Sequence, residues 1–124
     1  MKKITFILAL VLSAFIGNDA IAQDVVSKAE LLSTLNKVDD LNLPSEKSSA
    51  LKNYNESFAD DVFDITESNK SEEEKIVDLK NLRDRSEKDL MNLIGDDAFK
   101  SFKKSMKKEL KPLKRKSKLF KFII

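Results

Sequence analysis

In DDAFKSFKKSMKKELKPLKR, residues 96–115, the apolar side chains Phe99, Phe102, Met106, Leu110 and Leu113 follow one another at spacings of 3, 4, 4 and 3. That rhythm is the period of an α-helix, and it places the five in one stripe about 80° wide. The cations lie to one side of it. Lys100, Lys103, Lys104, Lys107, Lys108, Lys111, Lys114 and Arg115 fall in an adjoining sector of about 140°, at roughly 100° per residue. Ahead of the stretch, Gly95 reads as the stop of a preceding helix, and Asp96 or Asp97 as the cap of this one. Pro112 has no backbone N–H to give, so it kinks or ends the helix nearby.

Upstream, the same rhythm recurs at Leu51, Tyr54, Phe58, Val62 and Ile65 and predicts a helix over 45–68, with Ser45 as its cap. Asn69 and Lys70 then form a tight connection. Ser71 followed three residues later by Glu74 is a capping box, and Glu72 and Glu73 add negative charge where a helix N-terminus favours it. The helix that follows should cover 72–94, with Ile76, Leu79, Leu82, Leu90 and Leu93 as its stripe and Ser86 as its weak point. Nearer the start, Ala29, Leu32, Leu35 and Val38 share a face and predict a first helix over 25–41, closed by Pro44. The short connections favour antiparallel neighbours. The expected fold is all-α, a four-helix hairpin assembly or small bundle over residues 23–115. A basic and apolar tail, 116–124, follows it. In that tail Leu119, Phe120, Phe122, Ile123 and Ile124 show no clear period. They fit a groove of the bundle, a contact between two copies, or a membrane surface beside the lysines.

Residues 1–22 read as an export signal. Lys2 and Lys3 give the positive start, residues 4–17 the apolar run, and Ala20-Ile21-Ala22 the small-x-small cleavage pattern. Cleavage after Ala22 would leave Gln23 as the new N-terminus, and the protein would be periplasmic or secreted.

The chain has no cysteine and no histidine. Disulfide staples, thiolate–imidazole zinc sites and Ser-His-Asp catalysis are therefore excluded. The carboxylates Asp60, Asp61 and Asp64, and Glu72, Glu73 and Glu74, do not alternate around a glycine as a calcium loop requires, and read as solvated surface. No catalytic residue, cofactor or metal is expected. Charge, by contrast, is unevenly spread. Residues 23–94 hold 10 Lys and Arg against 17 Asp and Glu, while residues 95–124 hold 11 against 3. Such asymmetry suits either an anionic partner or a basic half packed on an acidic one.

Two segments, LNLPSEK (41–47) and LIGDDAF (93–99), resemble the L-T-x-x-Q motif of the Spy/CpxP family of periplasmic helical proteins. Leu43 or Ile94 takes the leucine position. Pro44 or Gly95 stands for the threonine, and Lys47 or Ala98 for the glutamine, so the motif's capping contacts do not carry over. The spacing between the copies and the intervening Arg83-Asp84-Arg85 segment also resemble the family. The resemblance implies a cradle of helical hairpins, often an antiparallel homodimer. It implies an ATP-independent chaperone or an envelope-stress protein. The family's metal-responsive members use histidine, which this chain lacks.

The expected function is thus that of a non-enzymatic, holdase-like binding protein for unfolded or acidic clients. The eight cations would attract the client, and Phe99, Phe102 and Met106 would hold it. An alternative is a peripheral envelope protein, bound to an anionic membrane through the basic helix and the tail together. A subunit that completes its core with a partner is a third. Export argues against nucleic acid as a partner.

Overall fold

The computed structural model describes residues 26–124. The export signal and the cleavage site between Ala22 and Gln23 lie outside them. The described chain runs through α1 (Lys28–Leu35), a 3-10 turn (Asp39–Leu41), α2 (Ser45–Thr66), α3 (Glu72–Ile94), α4 (Asp96–Glu109), α5 (Lys111–Lys116) and a second 3-10 turn (Lys118–Phe122). No strand occurs among the described residues. The fold is an all-α small bundle.

The α2–α3 hairpin is its frame. Each of its helices is about 33–35 Å long at 1.5 Å per residue. Ser71 caps α3 as its spacing predicts, its hydroxyl accepting from the Glu74 N–H at 3.2 Å. Lys75 donates to the Thr66 carbonyl at 2.8 Å, so a cation satisfies one of the orphan carbonyls at the end of α2. Leu51, Phe58 and Val62 of α2 meet Leu79, Leu82, Leu90 and Ile94 of α3 in the core. The stripe residues Tyr54, Ile65, Ile76 and Leu93 are only partly buried.

Gly95 makes the turn into α4 at φ 92, a conformation that side-chain-bearing residues rarely adopt. It occupies the N-cap position of α4 itself, so Asp96 and Asp97 sit in the first turn instead of capping it. Similarly, Pro44 holds the N-cap position of α2, and Ser45 is the first helical residue. Pro112 ends α4 as predicted. The helix stops at Glu109, and α5 restarts with Pro112 in its first turn, where the missing N–H is harmless.

The first helix departs from its expected bounds and face. It is short and rotated: Ala29 is exposed, Leu32 is partly buried, and the core face is Leu31, Thr34 and Leu35. Thr34 tolerates burial because its hydroxyl donates to the Glu30 carbonyl at 2.8 Å. The buried Asn55 of α2 stitches this helix down, donating to the Leu35 carbonyl at 3.0 Å and to Asn36 Oδ1 at 3.1 Å. Of the alternatives open for residues 116–124, packing against the bundle is the one observed. Phe120 and Ile123 are 3% and 1% exposed. They are three residues apart, the period of a 3-10 turn, so they share one face. Phe120 meets Phe63 edge to face at 6.1 Å, and Lys80 of α3 lies over the Phe122 ring at 5.4 Å.

Candidate functional site

The basic face belongs to α4 and α5. It is a face because the apolar stripe opposite has been used entirely for packing. Phe99, Phe102 and Met106 are 6%, 2% and 0% exposed, and Leu110 and Leu113 are buried with them. Phe99, Phe102 and Met106 are therefore core residues and not surface contacts for a client. The stripe is narrow enough to be covered by the hairpin beneath it, and that covering turns the lysines outward.

Lys100, Lys104, Lys107, Lys108, Lys111 and Arg115 are exposed, while Lys103 and Lys114 are partly buried. Of these eight, Lys103 alone has an ion-pair partner among the described residues. Its Nζ lies 2.8 Å from Glu87 Oε1 of α3. The edges of the face are tied back elsewhere, by Lys37 to Glu109 at 3.3 Å and by Lys116 to Glu30 at 3.2 Å. Pairing with the acidic middle helices thus accounts for little of the basic face.

Electrostatics report the same imbalance. The Lys114 ammonium is held below the ordinary lysine value, first by burial and then by repulsion from Lys107 and Lys111. In the acidic part of the molecule the sign reverses. Asp60 raises Lys28 through a hydrogen bond and its charge, and Asp78 does the same to Lys70. Those pairs are short, at 2.6 and 2.7 Å, and solvent-exposed.

Among the described residues no group of three potential metal-ligating side chains converges. One feature escaped the sequence reading. A cavity of about 20 Å³ is lined by Phe58, Leu90, Phe99, Phe102, Ile123 and Ile124 among others. Its floor comes from three helices, and no spacing within one helix signals it. Comparison with known proteins gives no match to a family model, a curated protein or a solved structure.

Proposed function

We propose that this chain is a non-enzymatic binding protein whose α4–α5 face captures acidic polypeptide segments by charge. One observation carries the reading: seven cations of one face have no ion-pair partner among the described residues. Folding gains little from them. Like charges four apart on a helix destabilise it by about 0.2–0.5 kcal/mol per pair. Lys100 with Lys104, Lys104 with Lys108, and Lys107 with Lys111 are such pairs. The helix dipole favours Lys107 and Lys108, which stand in the last turn of α4, but not Lys100 or Lys104. An anionic ligand would remove the remaining repulsion.

The holdase-like expectation changes in one respect. With Phe99, Phe102 and Met106 in the core, charge is the main holding force on this face. Capture should then be fast, reversible and sensitive to salt. An acidic or partly unfolded client in the envelope fits both this chemistry and the export signal expected at residues 1–22. The membrane alternative loses support from the tail. Phe120 and Ile123 sit in the core, so lipid binding would rest on cations contributing about 1 kcal/mol each.

The test is fluorescence anisotropy with a labelled Asp/Glu peptide, run beside suppression of aggregation of an acidic client. Wild type should bind at low salt and release as salt rises. A variant carrying Lys104→Glu, Lys107→Glu, Lys108→Glu and Lys111→Glu should keep its helical circular dichroism and lose binding. Lys103 is left alone because its reversal would set two glutamates against each other at Glu87. No binding by wild type at low salt, or full binding by the folded variant, would overturn the proposal. Sedimentation with anionic liposomes but no peptide binding would move the reading to the membrane surface.

A further inference from the structure

The charge of α2 is as one-sided as that of α4, with the opposite sign. Residues 53–69 hold five acids and no base. Four of these acids, Glu56, Asp60, Asp64 and Glu67, follow one another at spacings of 4, 4 and 3, and all four are exposed. They form one row about 16 Å long in a sector of about 80°, opposite the buried Leu51, Phe58 and Val62. Of the five acids, Asp60 alone has an ion-pair partner among the described residues, Lys28 of α1. Asp64 and Glu67 come near the same ammonium and, after Asp60, help to hold it above the ordinary lysine value. Folding gains little from the row. Glu56 with Asp60, and Asp60 with Asp64, are like charges four apart. Asp64 and Glu67 stand at the C-terminal end of α2, where the helix dipole disfavours anions and no base occupies the last turn.

The same 4-4-3 spacing occurs on the basic face, at Lys100, Lys104, Lys108 and Lys111, over the same length. The two rows sit at opposite corners of the bundle. Helices α2 and α4 each pack against both α1 and α3, so they stand diagonally, and both rows point away from the core. One molecule cannot bring its own rows together, whereas two copies can. The formal net charge is only +2, so repulsion between whole copies is small.

We infer that the α4–α5 face takes as its partner a second copy of this chain, bound through the acidic row of that copy's α2. The inference rests on the reading of the basic face as a surface for acidic polypeptide, and it names one such polypeptide: an exposed row of acids on a folded helix. The contact is heterologous. It joins one corner of the bundle to the opposite corner, so each end of a pair keeps a free row, and assembly continues head to tail instead of closing at two. Charge holds it, so it is reversible and salt-sensitive.

Sedimentation velocity at low salt, over a concentration series up to about 1 mM chain, tests this. The average mass should rise with concentration past twice that of one chain. It should fall to that of one chain in about 1 M salt, where screening cuts the reach of a charge to about 3 Å. An excess of the Asp/Glu peptide should have the same effect. Two variants read the rows separately. One carries Lys104→Glu, Lys107→Glu, Lys108→Glu and Lys111→Glu. The other carries Glu56→Lys, Asp64→Lys and Glu67→Lys, and leaves Asp60 to Lys28. Each alone should stay a single chain. An equal mixture should at least double in mass, because every row then meets one of opposite sign. The second variant keeps the basic face, so it should bind the peptide as wild type does at concentrations where wild type is a single chain. Wild type that stays a single chain throughout, a mass that stops at two chains or ignores salt, or a mixture of folded variants that gains no mass would overturn the inference. Peptide binding by the second variant in the same buffer decides whether the reading of the basic face survives, so the two failures are separable. Should the triple variant lose its helical signal, Glu67→Lys replaces it, since a cation at that helix C-terminus suits the dipole. Undiminished assembly by Glu67→Lys then counts against the inference.

Discussion

Helices α2 and α4 carry the same 3-4-4-3 apolar stripe, but their charges are of opposite sign. In the hairpin of α2 and α3 acids outnumber bases, and some pairs form: Asp60 with Lys28 of α1, and Asp78 with Lys70, while Lys75 serves a helix-terminal carbonyl. On α4 and α5 the stripe is buried more completely, yet seven of eight cations stand without a partner among the described residues. The difference separates two requirements that one amphipathic pattern hides. Burial of the stripe explains why α4 folds against the hairpin. It does not explain why the opposite face is nearly all lysine, because a mixed face would solvate as well and repel itself less.

The sharpest way to break this comparison is at the stripe. Phe102→Ala should cost about 3–5 kcal/mol of unfolding free energy, since it empties a buried site. Ile65→Ala, at the partly buried end of the α2 stripe, should cost less, about 1–2 kcal/mol. Urea denaturation of the two variants measures both. A Phe102→Ala loss no larger than that of Ile65→Ala would place Phe102 at the surface and restore it as a client contact.

The next effect lies at Asn55. Its side-chain amide serves Leu35 and Asn36, so Asn55→Ala should cost about 1–3 kcal/mol by stranding a buried carbonyl at the end of α1. Tyr54→Phe, one residue away, removes an exposed hydrogen bond to Asp89 and a contact with the Ser86 hydroxyl, and should cost about 0.5–1.5 kcal/mol. Equal losses would mean that α1 is not fastened through Asn55.

Asn55 also marks where sequence reading ends. Helix α3 was legible from Ser71 to Gly95 because a capping box and a glycine bracket a long periodic run. The stripe and lysine sector of α4 were legible for the same reason. Helix α1 departs from its apolar pattern because it is only 8 residues long and buries a threonine: the spacing favours Leu32 where the bundle buries Leu31 and Thr34. In the tail the period is three instead of 3.6. Phe120 and Ile123 do carry that signal, but a helical template passes over it. The groove beneath them depends on contacts between distant segments, which local pattern does not encode.

A smaller effect has the unusual sign. Lys104→Glu should leave the fold intact and stabilise it, because it replaces repulsion with Lys100 and Lys108 by attraction, at about 0.2–0.5 kcal/mol per pair. In the hairpin, Asp78→Lys should do the reverse by breaking the contact with Lys70. Thermal melts at low salt show both shifts, and added salt should shrink them. If Lys104→Glu destabilises the domain, Lys104 has a structural partner and the basic face is part of the fold.

The smallest effect distinguishes the two regions by proton binding. Lys114 is held below the ordinary lysine value by burial and by Lys107 and Lys111, whereas Lys28 and Lys70 are held above it by Asp60 and Asp78. A lysine lowered on folding binds its proton less well in the native state. It therefore weakens the fold at neutral pH, and the penalty is relieved as pH climbs through its lowered value toward that of the unfolded chain. Lysines raised on folding act oppositely: their contribution is complete at neutral pH and disappears as pH rises through their raised values. Lys114→Gln should accordingly raise the melting temperature slightly at neutral pH, with the gain vanishing in strong alkali. Lys70→Gln should lower it slightly at neutral pH. Because burial outweighs repulsion at Lys114, salt should remove the smaller part of its gain. For the surface pair at Lys70 salt should remove most of the loss. A Lys114→Gln variant less stable than wild type at neutral pH would mean that the Lys114 ammonium is satisfied in the native fold. The face around it would then be electrostatically neutralised, and the case for an anionic ligand would fall with it.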